Sequence, residues 1–265
     1  MSLILVVCQR ISDHCQNKNS ILLDTNVLIH YMQYLSENKY NPPKYRFILN
    51  DFRNLINTIR NQCSFGSLLT SEMVHNHEYR GTFLYEVQYL NSLAAHFQEQ
   101  FLQIIETDLS IKTVNNNALR DLRPIADNFS NRRNLSRIGD NDLSLLLTAL
   151  EELLTHRSWK FLIVTNDDSF RKFVAYIKSL NSLLLTHINY QTFEVNSVTL
   201  LTFLTSLFTC CLFNDLLGFK TILYNIETSG REERVKKRKQ IEYREWKNKI
   251  YNTAKSKKIS LGVCS

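Results

Sequence analysis

Ile21-Leu22-Leu23-Asp24-Thr25-Asn26-Val27-Leu28-Ile29 interrupts an apolar run with a carboxylate, a hydroxyl and an amide, then resumes it. Three apolar residues in a row suit a strand buried on both faces of a parallel sheet, and Val27, Leu28 and Ile29 can open a helix. Asp24 then stands at the carboxyl end of a central strand, where open α/β sheets place their ligands. Taken alone, it is explained equally well as a helix N-cap. The arrangement recurs in Phe161-Leu162-Ile163-Val164-Thr165-Asn166-Asp167-Asp168. Two strands ending in carboxylates crowd like charges at one sheet edge, and a divalent cation stabilises such a cluster. Oxygen ligands select a hard ion, Mg²⁺ or Mn²⁺.

The intervening segments alternate between the two periods. Residues 30–40 continue the first helix, Pro42-Pro43 breaks it, and 45–63 repeats apolar residues at helical spacing. A short strand over 65–69 leads to a helix N-cap at Thr70 or Ser71. Glu78 follows two turns later on a different face from Glu72, whose first-turn position complements the helix dipole. Residues 83–105 read as a long amphipathic helix and 107–136 as a polar stretch with room for another. Arg132, Arg133 and Arg137 there suit either a substrate groove or a solvated loop. Gly139 and Asp140 introduce an apolar helix, with Asp140 in the capping role and Asp142 held ionised in the first turn. After the 161–164 strand come a helix over 170–180, a strand over 189–195 and a helix over 198–212 capped by Ser197. Strands alternating with helices predict an α/β fold, a parallel sheet wrapped on both faces. Neither a G-x-G-x-x-G nor a P-loop motif occurs, which disfavours dinucleotide and P-loop nucleotide binding.

A chain of 265 residues accommodates one large domain plus an appendage, and six Gly with three Pro favour helices over an all-β fold. Its net charge of +7 is unevenly placed: residues 231–258 hold twelve Lys/Arg against four Asp/Glu, so the rest is near neutral. Lys236, Lys237, Arg238, Lys239, Arg244 and Lys247 surround Tyr243 and Trp246, a mixture suited to phosphate contact and base stacking. A solvated helix with its aromatics packed on the body is the competing reading. Six cysteines without a C-x-x-C pair, and no evident signal peptide, point to an intracellular protein, cytoplasmic or, in a eukaryote, nuclear. A zinc site from Cys8, His14 and Cys15 lacks a second ligand pair. The apolar run at 198–212 is too short to span a bilayer, so no membrane partner is expected.

Asp24-Thr25-Asn26, Glu78 within 71–81, Asp142 ahead of Leu143 to Leu150, and Thr165-Asn166-Asp167 together resemble the PIN-domain nucleases over residues 18–215. That divides the chain into an N-terminal segment (1–17), a nuclease domain (18–215) and a basic C-terminal extension (216–265). The resemblance implies a three-layer α/β/α sandwich around a mostly parallel sheet, and a Mg²⁺- or Mn²⁺-dependent endoribonuclease leaving 5′-phosphate and 3′-hydroxyl ends. Asp24, Glu78, Asp142 and Asp167 would be the acidic ligands, with Glu72 the alternative second acid. Asn26 and Thr165 would orient them, and Asp140 and Asp168 would assist from outside. RNA is the implied partner, with room for a protein regulator and a homodimer; toxin, defence and RNA-processing roles all stay open. A DNA- or structure-specific nuclease and an inactive binding scaffold are the alternatives. An aspartate-nucleophile phosphatase would want an acid where Asn26 stands.

Overall fold

The computed structural model describes residues 20–40, 44–62, 68–83, 95–155, 160–185, 195–209 and 216–256. Every residue of β1 (Ser20–Leu23) and of β4 (Phe161–Val164) is buried, as continuous apolar runs require when both sheet faces are covered. These two strands lie side by side and parallel, Leu23 opposite Val164. β2 (Leu68–Ser71), β3 (Ser110–Lys112) and β5 (Val195–Val198) complete an all-parallel sheet in the order β3-β2-β1-β4-β5. The chain builds outward from β1 to β3 and then returns to the other side of β1. Strand order therefore reverses between β1 and β4, the place where open sheets leave a crevice at their carboxyl edge.

Among the described residues nine α-helices accompany the sheet: α1 (Thr25–Tyr34), α2 (Tyr45–Gln62), α3 (Ala95–Asp108), α4 (Asn116–Arg133), α5 (Asp140–Thr155), α6 (Asp168–Leu185), α7 (Leu200–Thr209), α8 (Leu216–Thr228) and α9 (Glu233–Ser256). Right-handed crossovers send connections on opposite sides of β1 to opposite faces. In accord with this, α4 packs on α5 and α6, while α1 packs on α2 and α8. The architecture is α/β and compatible with a three-layer sandwich.

Several local expectations are corrected. The first helix passes into a π-helical turn at Leu35–Lys39 instead of staying α-helical to residue 40. The segment after β2 is a π-helix, Val74–Phe83, rather than an α-helix. Such i→i+5 winding is rare and concentrates at functional sites. The polar 107–136 stretch contains β3, three residues with an exposed face at the sheet edge, too short to show alternation. The last sheet-associated helix is capped by Thr199, whose Oγ1 accepts the Thr202 N–H at 3.1 Å, because Ser197 still belongs to β5. The 189–194 stretch, all six cysteines, residues 1–17 and the Pro42-Pro43 break lie outside the described residues. No described helix is long and apolar enough to cross a membrane.

The C-terminal segment forms a helical hairpin. Gly230 adopts a positive φ of 66° in the turn between α8 and α9, a conformation that costs glycine nothing. Leu216 and Ile250 join the same buried cluster as the central strands, so the hairpin is packed onto the body.

Candidate functional site

Register sets the floor of the site. Leu23 pairs with Val164, and Val164 with Val198, so Asp24, Thr165 and Thr199 are level at the carboxyl edge. Asp24 is 2% exposed and caps α1, its Oδ1 accepting the Asn26 N–H at 3.3 Å. Its Oδ2 accepts the Thr165 hydroxyl at 2.6 Å, and Thr165 Oγ1 in turn accepts the Asp167 N–H at 3.0 Å. Asp167 Oδ1 takes the Phe170 N–H at 2.8 Å, capping α6. Asp142, in the first turn of α5, accepts the Gly139 N–H on Oδ2 at 3.1 Å. All three aspartates are thus fixed at helix N-termini, each carrying roughly half a positive charge that favours a carboxylate there.

Glu78 arrives on the π-helix. Ser71, at the end of β2, accepts the Val74 N–H at 3.1 Å and lies 2.6 Å from the Ser144 hydroxyl, tying the π-helix to α5. Asn141 Nδ2 donates to Glu78 Oε1 at 2.8 Å. The buried Tyr79 hydroxyl donates to the Leu23 carbonyl at 3.1 Å, clamping the π-helix to the end of β1.

These four carboxylates act on one another. Burial, opposed by the Thr165 hydrogen bond and reinforced by the charges of Glu78 and Asp167, pushes the Asp24 carboxyl up to about 6. Burial, then Asp24, Asp167 and Glu78, raise Asp142 to about 7. Glu72 is exposed and is not among the charges acting on either group.

Other expected participants lie elsewhere. Asn26 serves Asp24 through its backbone N–H, and its side chain is exposed. Asp140 does not cap α5; it is the helix's first residue and pairs with Arg123, while Asp142 in the first turn reaches back to accept the Gly139 N–H. Asp168 is exposed and paired with Arg171 at 2.7 Å and Lys172 at 2.6 Å; chiefly through Lys172 these hold its carboxyl below the usual range. Both are drawn outward by cations, away from an assisting position.

The donor set suits a hard divalent ion, all oxygen and mutually repelling. Among the described residues, however, no three acidic, imidazole or thiol groups converge into a ready metal-holding group. Both Asp24 oxygens and one on each of the other three are engaged in hydrogen bonds. Glu78 Oε2, Asp142 Oδ1 and Asp167 Oδ2 accept none among the described residues, which leaves one donor atom apiece for an ion. The residues fit such an ion in chemistry and neighbourhood, with side-chain rotation required for contact.

Sequence reasoning missed Asn141, Tyr79 and the Ser71–Ser144 pair, which have no meaning until β2, α5 and the π-helix meet. It also missed Asn166, whose Oδ1 accepts the Leu200 N–H at 3.0 Å while Nδ2 donates to His30 Nδ1 at 2.8 Å, joining α7 to α1.

The basic groups divide in two. Arg137 reaches Asp127 at 3.5 Å, whereas Arg132 and Arg133 line a cavity of about 540 Å³ between α4 and α6. On α9, Lys237, Arg238 and Arg244 are exposed and Lys236, Lys239 and Lys247 half-buried. Lys239 acts weakly on the charge of Asp168 at the start of α6. Trp246 stacks on Tyr243 at 6.2 Å, has Lys220 over its ring at 5.8 Å and packs on the core. That position favours the packed reading of Trp246 over an open stacking platform. Comparison with known family models, curated proteins and solved structures yields no match for this chain.

Proposed function

We propose that the chain is a Mg²⁺- or Mn²⁺-dependent endoribonuclease with a PIN-like three-layer α/β/α fold. The observation that carries this reading is that Asp24, Glu78, Asp142 and Asp167, from four separate segments, lie near enough at the strand-order reversal for their charges to act on Asp24 and Asp142. A structural role for so many mutually repelling acids is poor, because among the described residues none has a basic partner and two are pushed towards neutrality. When bound, a divalent ion activates water and offsets the charge that builds on a phosphodiester. The chain's own contribution is positional: Thr165 fixes Asp24 and the Asp167 backbone together, and Asn141 orients Glu78. The cationic face of α9, whose Lys239 acts on the charge of Asp168, holds the sugar–phosphate strand. With water as nucleophile, products carry 5′-phosphate and 3′-hydroxyl ends.

The test incubates the full chain and Asp24→Asn with a mixed RNA and with matched DNA, in Mn²⁺ or EDTA, and maps the ends. Cleavage of RNA that requires Mn²⁺ and Asp24 supports the proposal. A 2′,3′-cyclic phosphate product, or activity indifferent to both, overturns it, and preferential cutting of DNA replaces the substrate class.

A further inference from the structure

The cavity between α4 and α6 has a composition that the carboxylate site does not explain. Ile125, Phe129, Arg132, Arg133, Tyr176 and Leu180 line it, and it is an open pocket of about 540 Å³. Its walls are mostly apolar and aromatic, with Phe129 and Tyr176 stacked at 4.9 Å. The Arg133 guanidinium lies 4.9 Å from the centre of the Phe129 ring. Held over a ring face, a guanidinium still has N–H groups to offer an anion.

The charge around it is one-sided. No acid lines the cavity, and among the described residues neither Arg132 nor Arg133 has a carboxylate partner. The nearest acid on α4, Asp127, is neutralised by Arg123 at 3.6 Å and Arg137 at 3.5 Å. Ile125 is 43% exposed at the rim, apolar surface beside uncompensated cations. A ligand that satisfies both has a flat apolar body and an attached anion, which is the chemistry of a nucleotide.

Position relates this pocket to the acids. Tyr176 and Leu180 stand eight and twelve residues along α6 from Asp168, roughly 12 and 18 Å at 1.5 Å per residue. At roughly 3.4 Å per stacked nucleotide, that spans about four or five nucleotides of one strand.

We propose that the α4–α6 cavity is a nucleotide-binding subsite. It would hold one unstacked base against Tyr176 and Ile125, with the base's phosphate on Arg132 and Arg133, remote from the bond that is cut. Its assignment to a substrate strand rests on the ribonuclease reading; its affinity for a nucleotide does not.

Direct binding therefore comes first. Adenosine 5′-monophosphate and inorganic phosphate are titrated by calorimetry into the full chain, into Arg132→Ala/Arg133→Ala, and into Arg46→Ala/Arg53→Ala. The second pair removes the same charge from exposed positions on α2. The nucleotide should bind more tightly than phosphate, and the cavity variant should lose about tenfold or more, a conservative loss for two charge-assisted hydrogen bonds. The control should match the parent, and all three should melt alike. Equal losses in both pairs, or binding unchanged in the cavity variant, overturn the subsite. Cleavage of RNAs from four to twelve nucleotides then tests its link to the acids: the cavity variant should raise KM for the long substrates alone. Nucleotide binding without RNA cleavage keeps the subsite and removes the nuclease; cleavage without cavity-dependent binding does the reverse.

Discussion

The carboxyl edge of the sheet and the basic face of α9 are both charged surfaces, but they are built on opposite terms. At the sheet edge Asp24, Asp142 and Asp167 each accept a backbone N–H, and Asp24 and Glu78 also take partners distant in sequence, Thr165 and Asn141. On α9 the described pairs are local, Arg238 and Lys239 with Glu242 at i+4 and i+3, and Lys237 and Arg244 face solvent. Local surface pairs are worth only a few tenths of a kcal/mol. Buried like charges cost far more, and a fold retains them only where something else requires them. The difference separates a surface that can move and exchange partners from a site that is positioned at the expense of stability.

Neutralising one acid gives the largest predicted effect on that contrast. Asp142→Asn keeps the Gly139 hydrogen bond but removes a charge repelled by three others. Activity should fall by more than about a hundredfold, the upper range seen even for outer-sphere groups. The same change should stabilise the metal-free fold at pH 8, by on the order of 2–4 kcal/mol for a carboxyl raised from the ordinary range to about 7. The sign follows from linkage. A carboxyl raised on folding lends stability fully below its unfolded pKa near 3.8 and loses it as pH climbs through about 6 for Asp24 and about 7 for Asp142. Melting in EDTA should therefore fall between pH 5 and 8, less steeply in Asp142→Asn, and Mn²⁺ should restore the parent at pH 8. A parent protein whose stability is flat over that window would remove the electrostatic account of the site.

Next in size is Thr165→Val, which preserves shape but strips Asp24 of its hydroxyl donor and leaves the Asp167 N–H without its acceptor. A loss of about 1–3 kcal/mol is expected from the unsatisfied groups. Activity should drop roughly 10- to 100-fold, as for groups that orient ligands. Activity lost without any loss of stability would mean that Thr165 acts on the reaction and not through Asp24.

Much of the first region is legible in the sequence because its signals are local. An apolar run ending in Asp-Thr-Asn or Thr-Asn-Asp announces both the strand and the group at its end, and β1 and β4 form at those two runs. What cannot be read depends on juxtaposition. Local rules make Asp142 a ligand and Asp140 the cap, but Asp140 begins the helix and pairs with Arg123, and Asp142 reaches back to the Gly139 N–H. β3 is three residues at an edge, with too little burial to impose a pattern. The segment read as one basic extension is two helices, a largely apolar α8 and a charged α9 that begins after the Gly230 turn, and their pairing depends on how they pack.

The α9 surface predicts a different signature. Lys237, Arg238 and Arg244 are exposed, so replacing them with Ala should leave kcat and melting temperature nearly unchanged. RNA affinity should weaken, and the slope of log K against log salt should flatten by about 0.7 for each phosphate of a single strand that is no longer neutralised. If kcat falls while the salt slope stays fixed, α9 belongs to the catalytic region and the two surfaces are one.

The smallest effect is the most discriminating about how the chain enters the site. Glu72 and Glu78 are six residues apart, one before the π-helix and one within it. Spacing alone leaves both open as the second acid, since it says only that they face differently. Ser71 and Tyr79 fasten the π-helix at β2 and β1, and between those anchors Glu78 is turned towards Asn141 while Glu72 remains in solvent. Glu72→Ala should therefore change stability by less than about 0.5 kcal/mol, as exposed substitutions do, and leave RNA cleavage intact. Glu78→Ala should abolish cleavage while releasing Asp24 and Asp142 from one repelling charge, lowering the pH at which each ionises. Carboxylate titration by NMR would see that shift in the Glu78 variant alone, and the same shift in Glu72→Ala would mean that the two acids share one site.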